Sequence, residues 1–225
     1  MSADDPRLLG QLLALLVHDL RNPVATIGAN LSYVSEVGSG TLDTDAQEAL
    51  NDSTSALQGL TSGLDNMAFL SRWVANEPAA AALEGSVVDA LRSVAARERP
   101  SVLTLAVGEG VARARGAQTL PRLLEILLAN AEQHAAGKPV TLRALREGDD
   151  VIIEVEDAGR AIAAELRDIA FTAAGQLKLK ERSDGRYGRS LGLFAAGLLA
   201  QAMGARLEAA GKDGAAIIRV VLAAT

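Results

Sequence analysis

The run HDLRNP at residues 18–23 combines a histidine, a carboxylate, an amide and a proline within six positions. A neutral imidazole nitrogen can attack a phosphorus centre, and the carboxylate of Asp19 can orient or take the proton on the other ring nitrogen of His18. Asn22 follows His18 by four residues, so in a helix its amide shares that face and can hold a water or a partner residue. These residue types predict a histidine that accepts a phosphoryl group.

A long helix over residues 6–37 is predicted to carry this run. Pro6 suits a first helical turn, and the Gly-Ser-Gly at residues 38–40 is a strong break. Apolar residues recur at spacings of three and four, which indicates a buried helical stripe. The stripe consists of Leu9, Leu13, Leu16, Leu20, Val24, Ile27, Leu31 and Val34.

The histidine is expected on the outside of this helix. At about 100° per residue, His18 lies roughly opposite Leu16 and Leu20. Pro23 removes a backbone donor and pushes on the carbonyl of Asp19, four residues earlier. The helix is therefore predicted to bend beside the histidine.

A second helix is predicted from a cap at Asp43 or Thr44 to near Trp73. Its apolar stripe consists of Leu50, Leu57, Leu60, Leu64, Met67, Leu70 and Val74. Two long antiparallel helices bury too little apolar surface alone, so dimerisation into a four-helix bundle is the economical arrangement. The alternative is a simple hairpin that packs on the C-terminal half of its own chain.

The helical periodicity stops at the Asn-Glu-Pro of residues 76–78, which marks a linker over residues 77–82 between domains at 1–76 and 83–225. The second domain is predicted to have helices at 87–97, 119–136, 163–170 and 191–203, strands at 102–107, 111–115, 140–145, 151–156, 205–210 and 215–222, and a polar loop at 172–187. Mixed strands and helices predict an α/β sandwich after the hairpin, so the fold class is α+β.

Three segments of this second domain can do chemistry. Asn130, in the helical run LLANAEQH at 127–134, offers an amide oxygen, a hard ligand that Mg²⁺ accepts beside phosphate oxygens. Asp157 ends a strand, where it can accept a hydrogen bond from the exocyclic amine of adenine, and Gly159 allows close backbone approach. The run GRSLGL at 188–193 opens a helix whose free N–H groups favour phosphate. Taken singly, these segments also suit a surface amide, a turn and a glycine-rich loop.

In their order along the chain, the four motifs resemble the H, N, G1 and G2 boxes of two-component sensor histidine kinases. The resemblance implies that His18 is autophosphorylated, that Asp19 acts as acid or base, and that Asn22 serves phosphatase chemistry. ATP and Mg²⁺ are the implied cofactors, with Asn130 as the metal ligand. The implied nucleotide-binding residues are Asn130, His134, Asp157, Gly159, Gly188, Leu191, Gly192 and Leu193.

The same resemblance implies a dimerisation and histidine phosphotransfer domain followed by a Bergerat-type ATP-binding domain, shared with gyrase-like ATPases. The implied partners are a second copy of the chain and the receiver domain of a response regulator, to which the phosphoryl group passes. Because 225 residues leave no room for a sensor domain, a separate sensory or signalling protein is expected to supply the signal.

The chain departs from the family pattern at three positions. Ala161 replaces the second glycine of the G1 box, and Ser190 replaces the middle glycine of the G2 box. A left-handed backbone at either residue costs roughly 1 to 2 kcal/mol, so weakened ATP binding is expected. Ile126 stands where many relatives have a second polar residue. The segment 172–187 fits a lid over phosphates and equally an ordinary solvated loop.

Composition limits the classes of partner and compartment. A net charge of -6 without a long basic run makes nucleic acid and anionic membrane poor partners. The apolar run at residues 8–17 is about half the length of a membrane span, and Asp4 and Asp5 have the wrong charge for a signal peptide. The absence of cysteine excludes disulfides and thiolate metal sites. We expect a cytoplasmic protein.

Three other functions remain open from the sequence. A phosphotransfer hub or pseudokinase with a degenerate ATP domain would receive its phosphoryl group from a response regulator instead of ATP. A dimeric scaffold without activity would need no exposed histidine. A serine kinase of the anti-sigma-factor type shares the ATP-binding fold but has no hairpin that carries a histidine.

Overall fold

A computed structural model of the protein describes residues 6–38, 40–75, 83–97, 103–135, 138–181, 191–212 and 214–225. The chain divides into two compact units, Met1–Glu77 and Pro78–Thr225. The first consists of two long helices, and the second combines helices with a mainly antiparallel sheet. The predicted α+β class is therefore confirmed.

The first unit is a hairpin of α1 (Pro6–Val37) and α2 (Thr44–Ala75). The backbone N–H of Ala46 donates to Oδ1 of Asp43 at 2.8 Å, so Asp43 is the residue that caps α2. The two helices meet along a small core of Val17, Val24, Leu64 and Ala68, against which Leu57 and Met67 pack.

Only part of the stripe predicted on α1 is buried in this hairpin. Four of its residues, Leu16, Leu20, Ile27 and Val34, are between 41% and 49% exposed, and we call them the exposed stripe. Val17, which lies outside the predicted stripe, is buried. The reason is angular: at about 100° per residue, the side of α1 that meets α2 is turned by roughly a quarter of a circle from the exposed stripe. A single hairpin thus leaves part of the predicted stripe exposed, in agreement with the expectation that two helices alone bury too little apolar surface.

The second unit contains a five-stranded sheet in the order β2-β4-β5-β7-β6 and a separate pair of β1 with β3. Strand β2 is parallel to β4, and the other neighbours in the sheet are antiparallel. The strands are β1 (Gly85–Ser86), β2 (Leu103–Val107), β3 (Arg113–Ala114), β4 (Val140–Glu147), β5 (Asp150–Asp157), β6 (Arg206–Lys212) and β7 (Ala215–Ala223).

The helices of this unit are α3 (Val87–Arg97), α4 (Leu120–Ala135), α5 (Ala173–Glu181) and α6 (Gly192–Met203), with a 3₁₀ helix at Ala164–Ile169. Helix α4 packs against α3, α6, β4 and β5 and so occupies the centre of the core. Its leucines are among the most completely buried side chains, with Leu91, Leu142, Ile153, Leu193, Met203 and Leu222. In the described part of the chain, no helix is both long enough and apolar enough to cross a membrane.

Two elements differ from the sequence predictions. The segment predicted as a polar loop begins with helix α5, while its remainder at 182–190 lies outside the described residues. Thr172 provides the start signal, since its hydroxyl accepts a hydrogen bond from the N–H of Gly175 at 3.1 Å. Strand β1, which has only two residues, was not predicted and pairs with β3.

Candidate functional site

His18 and Asp19 form a solvent-facing pair on α1. Their side chains are 75% and 78% exposed, and Nδ1 of His18 lies 3.3 Å from Oδ1 of Asp19. A proton on Nδ1 that is donated to this carboxylate leaves the lone pair of the ring on Nε2. The pair therefore orients the imidazole and presents a nucleophilic nitrogen to a partner at the surface.

The turn that follows His18 is fixed to the second helix. Arg21 Nη2 donates to Asp65 Oδ1 at 2.5 Å, which joins α1 to α2. Helix α1 continues through Pro23, and the hydroxyl of Thr26 donates to the carbonyl of Asn22 at 3.1 Å. Asn22 is exposed. A bend at Pro23 remains a prediction.

In the second unit, the path of α4 brings Asn130 toward the end of β5. The N–H of Arg115, just before α4, donates to the carbonyl of Ala223 at 3.1 Å, and Ala223 pairs with Asp150 at the start of β5. Helix α4 packs on β5, so it starts beside the beginning of that strand. At about 1.5 Å per residue, Asn130 lies roughly 15 Å further along, toward the end where Asp157 lies.

Helix α6 begins at the same end. A Cβ on Gly116, before α4, would lie 2.8 Å from the carbonyl oxygen of Met203, the last residue of α6. Because α4 and α6 pack together, the end of one helix lies beside the start of the other. From these contacts we infer that Asn130, Asp157 and the first turn of α6 lie toward one end of the unit, although they are far apart in sequence.

Asn130 is buried with an unsatisfied oxygen. Its side chain is 4% exposed, and among the described residues no hydrogen-bond donor reaches its Oδ1. An unpaired buried acceptor costs about 1 to 3 kcal/mol, so such an atom calls for an explanation. A hard cation is a suitable partner for a buried amide oxygen, and the residues present here fit magnesium in this respect.

Asp157 is 7% exposed at the end of β5. Its Oδ1 accepts the backbone N–H of Gly159 at 2.6 Å, which turns the chain sharply after the strand. Burial raises the pKa of the Asp157 carboxyl above its ordinary value; the hydrogen bond from Gly159 opposes this rise, and the charge of Glu156 adds to it. The site thus presents a carboxyl group whose charge is poorly solvated and that a ligand donor can stabilise.

The start of α6 shows where the backbone is strained. Leu191 has φ 56° and ψ 10°, and among the described residues it is the one non-glycine residue with positive φ. Gly192 and Leu193 follow it and are buried. The left-handed conformation considered for Ala161 does not occur, because its φ is not positive. The penalty that such a backbone would carry therefore does not apply at Ala161.

The remaining motif positions are less fully described. Gly188 and Ser190 lie outside the described residues, and so does the side chain of His134, although its backbone belongs to α4. Ile126 is buried in the core of the unit, which gives an apolar side chain a packing role at this position.

Arg167 contacts the G1 segment, the run DAGRAI at residues 157–162, although no sequence pattern points to this arginine. Its Nε donates to the carbonyl of Ile162 at 3.1 Å, and its Nη2 donates to the carbonyl of Gly211 at 2.7 Å. A contact across 44 residues has no local signature in the sequence.

Residues 116–224 match the family model described as the histidine kinase-, DNA gyrase B- and HSP90-like ATPase. A bacteriophytochrome of Pseudomonas aeruginosa is 24% identical over 218 residues, which cover 94% of this chain and 29% of the relative. The chain thus spans less than a third of that relative's length.

Solved structures of histidine kinases share the fold of both the hairpin and the ATPase segment. Full-length ShkA in complex with AMPPNP aligns with 96% of this chain and 46% of its own at a TM-score of 0.61 and 21% identity. The Acinetobacter baumannii histidine kinase AdeS aligns with 92% of this chain and 98% of its own at a TM-score of 0.52 and 15% identity. The resemblance to histidine kinases is confirmed in the ATPase family and in the fold.

Proposed function

We propose that this protein is an ATP-dependent histidine kinase that phosphorylates His18 and passes the phosphoryl group to an aspartate of a response regulator. One observation carries the proposal: an exposed histidine with a carboxylate at its Nδ1 lies on a helical hairpin in the same chain as a domain of the histidine kinase-like ATPase family. Neither part alone would specify phosphoryl transfer to histidine.

In this proposal, the ATPase segment binds the nucleotide with its buried polar groups. Asp157 accepts a hydrogen bond from the exocyclic amine of adenine, and Gly159 lets the backbone approach the base. The free N–H groups at the start of α6, at Gly192 and Leu193, face phosphate. Oδ1 of Asn130 would hold Mg²⁺, which supplies charge neutralisation for the phosphates when it is bound.

The reaction follows from the His18–Asp19 geometry. Nε2 of His18 forms a bond to the γ-phosphorus as the bond between that phosphorus and the bridging oxygen breaks, and ADP leaves with the bonding pair. The proton remains on Nδ1, where Asp19 accepts its hydrogen bond and stabilises the positive ring that results. In the second step an aspartate of the receiver domain attacks the phosphorus, and the imidazole leaves. Phosphatase chemistry at Asn22 would be a further activity of the same face.

A homodimer is part of the proposal, and the exposed stripe supports it. Soluble proteins rarely expose large contiguous apolar patches, and a second hairpin would cover the stripe in a four-helix bundle. His18 lies about 160° to 200° around α1 from Leu16 and Leu20, so it remains on the outside of such a bundle. From there it can meet an ATPase domain or a receiver domain in the cytoplasm, under the control of a separate sensory protein.

The test is incubation with γ-labelled ATP and Mg²⁺, followed by treatment of the labelled protein with acid. We expect label that acid removes, as a phosphorus–nitrogen bond requires, and we expect His18→Gln to lose it entirely. Asn30→Ala, a change of another exposed polar residue of α1, is the matched control and should keep the label. Full labelling of His18→Gln would reject the assignment of the nucleophile.

The second candidate is the phosphotransfer hub, which Ser190 in place of a G2 glycine favours. It predicts no label from ATP but transfer of label from a phosphorylated receiver domain to His18. Protein that shows no heat of binding with millimolar Mg-ATP and yet accepts phosphate from a receiver domain would establish the hub over the kinase.

A further inference from the structure

Arg167 lies in the 3₁₀ helix that follows the G1 segment, half-buried and with both ends of its guanidinium occupied. Nε donates to the carbonyl of Ile162 at 3.1 Å and Nη2 to the carbonyl of Gly211 at 2.7 Å. Ile162 is the last residue of the G1 motif, whereas Gly211 belongs to β6 at the edge of the sheet. One side chain thus joins the loop after β5 to a strand two positions away.

The sheet register shows why this link matters for Asp157. Asp157 pairs with Ala216 of β7, and Gly211 pairs with the same Ala216 from the other side. The three residues therefore form one row across β5, β7 and β6. The G1 loop leaves that row at Asp157, and Arg167 ties Ile162, where the motif ends, back to the row at Gly211. The result is a closed ring around the loop.

Gly211 is suited to its part in this ring. Its φ is +96°, and an added Cβ would lie 1.9 Å from the carbonyl oxygen of Ala215, so a side chain cannot be accommodated there. The unusual backbone of Gly211 is therefore fixed by its neighbours, and its carbonyl offers a defined acceptor for Arg167.

The loop of residues 158–162 is consequently held at both ends. At its start, Asp157 Oδ1 accepts the N–H of Gly159 at 2.6 Å, and at its end Arg167 holds the carbonyl of Ile162. Ala161, which replaces a glycine of the family pattern, lies between these two anchors. A guanidinium suits this task because its planar fork can donate to two carbonyls at fixed angles, which an ammonium cannot reproduce.

We propose that Arg167 is a positioning residue of the nucleotide site, which fixes the G1 loop so that Asp157 and Gly159 are pre-organised for the base. This inference rests on the proposed function in so far as the ligand is ATP. Loss of pre-organisation lowers affinity, because the loop must then become ordered as the ligand binds. Arg167 itself touches no ligand in this account.

The experiment compares Arg167→Met and Arg167→Lys with the unmodified protein. The first readout is the dissociation constant of Mg-ATP by calorimetry, and the second is amide hydrogen exchange at Gly159 without nucleotide. We expect Arg167→Met to weaken binding about ten- to a hundredfold, as loss of hydrogen bonds from a charged donor implies. Arg167→Lys, which can keep one of the two bonds, should fall between. Amide hydrogen exchange at Gly159 should be faster in both variants, whereas the amide of Ile153 in the middle of β5 should stay protected from exchange.

Arg146→Met is the matched control. Arg146 Nε donates to the carbonyl of Gly148 at 3.0 Å in the turn between β4 and β5, at the opposite end of β5 from Asp157. The control removes an arginine-to-carbonyl bond of the same sheet, and it should change neither the affinity for Mg-ATP nor the exchange at Gly159.

The outcomes separate this inference from the proposed function. Unmodified protein that binds no Mg-ATP would reject the kinase, and exchange at Gly159 would then decide the role of Arg167 alone. Unchanged amide exchange at Gly159 in Arg167→Met overturns the positioning role. A loss of Mg-ATP affinity in Arg167→Met that is no larger than the loss in Arg146→Met overturns it too. If Arg167→Met does not fold, Arg167→Lys decides: faster Gly159 exchange with intact β5 protection supports the role, and unchanged exchange overturns it.

Discussion

The two units of this protein place their reactive groups in opposite environments. His18 lies on the outside of a helical hairpin and is 75% exposed, whereas Asn130 and Asp157 are almost completely buried in the α/β unit. An exposed nucleophile can meet large partners, such as a second domain, but it depends on them for its reaction. A buried amide and carboxyl can bind a small ligand, and their surroundings can hold them in position before it binds.

The cores of the two units also differ in how completely they bury their apolar side chains. The α/β unit surrounds α4 with fully buried aliphatic side chains, whereas the described part of the hairpin has a core cluster of only four residues and exposes Leu16, Leu20, Ile27 and Val34. Burial of apolar area contributes roughly 25 cal/mol per Å². The hairpin therefore gains more from association than the α/β unit does, and its stability should depend on protein concentration.

The largest expected effect comes from charging the exposed stripe. The double variant Leu20→Asp and Ile27→Asp places four carboxylates in the interface of a dimer while sparing the hairpin core at Val17 and Val24. We expect light scattering to change from about twice 23.3 kDa to a monomer, with autophosphorylation near background. The melting of the α/β unit should stay unchanged.

Tyr33→Asp provides the control for this variant. Tyr33 is also exposed on α1, but at about 100° per residue it lies more than 90° around the helix from Leu20 and Ile27. The Tyr33→Asp variant should remain dimeric and active. A stable and fully active monomer in the unmodified protein would overturn the comparison, because the hairpin would then need no partner.

Helical periodicity made the hairpin predictable, but it did not identify Val17 as part of the face of α1 that meets α2. Pro6 and the Gly-Ser-Gly at residues 38–40 predicted the observed bounds of α1, Pro6–Val37. The spacing of the leucines could not tell which part of a wide apolar face meets α2 and which part stays exposed. Strand β1, with two residues, is too short to carry any period.

In the α/β unit, the sequence predicted residues whose hydrogen-bond partners are close along the chain, but not those whose partners are distant in sequence. Asp157 is followed by its own hydrogen-bond donor, Gly159, within two residues, so a short motif describes it. Arg167 reaches Gly211 through the fold, and no pattern records that contact. Among the described residues, the non-glycine residue with a left-handed backbone is Leu191, at the start of α6, and not Ala161.

The second prediction tests whether the buried Asp157 carboxyl strengthens nucleotide binding while it lowers the stability of the folded protein. Asp157→Asn removes a carboxyl whose pKa is raised chiefly by burial. It should weaken Mg-ATP by roughly ten- to a hundredfold in calorimetry, because the amide cannot accept as strong a hydrogen bond. At pH 7 without nucleotide, the same variant should unfold at a higher temperature than the unmodified protein.

The sign of the stability change follows from proton linkage. With its pKa raised in the folded state, Asp157 binds more protons folded than unfolded, so its contribution to stability falls as the pH rises from the unfolded pKa through the folded one. The advantage of Asp157→Asn should therefore disappear below that range. Asp150→Asn, at the other end of β5, is the control and should show neither effect. A variant less stable than the unmodified protein at pH 7 would contradict the burial argument.

The smallest effect should come from the ion pair that joins the two helices of the hairpin. Arg21 and Asp65 are each 51% exposed, and a pair of this exposure contributes about 0.2 to 1 kcal/mol, less at high salt. Asp65→Asn should lower the free energy of unfolding by that amount at low ionic strength and by nearly nothing in 1 M salt. In our account the exposed stripe holds the dimer together. The mass of the dimer and its labelling from ATP should therefore not change in Asp65→Asn.

Glu208→Gln is the matched control. It removes the exposed ion pair with Arg206 in the α/β unit and should lower the free energy of unfolding by a similar amount. Dissociation of the dimer in Asp65→Asn would contradict the view that the exposed stripe alone holds the dimer together.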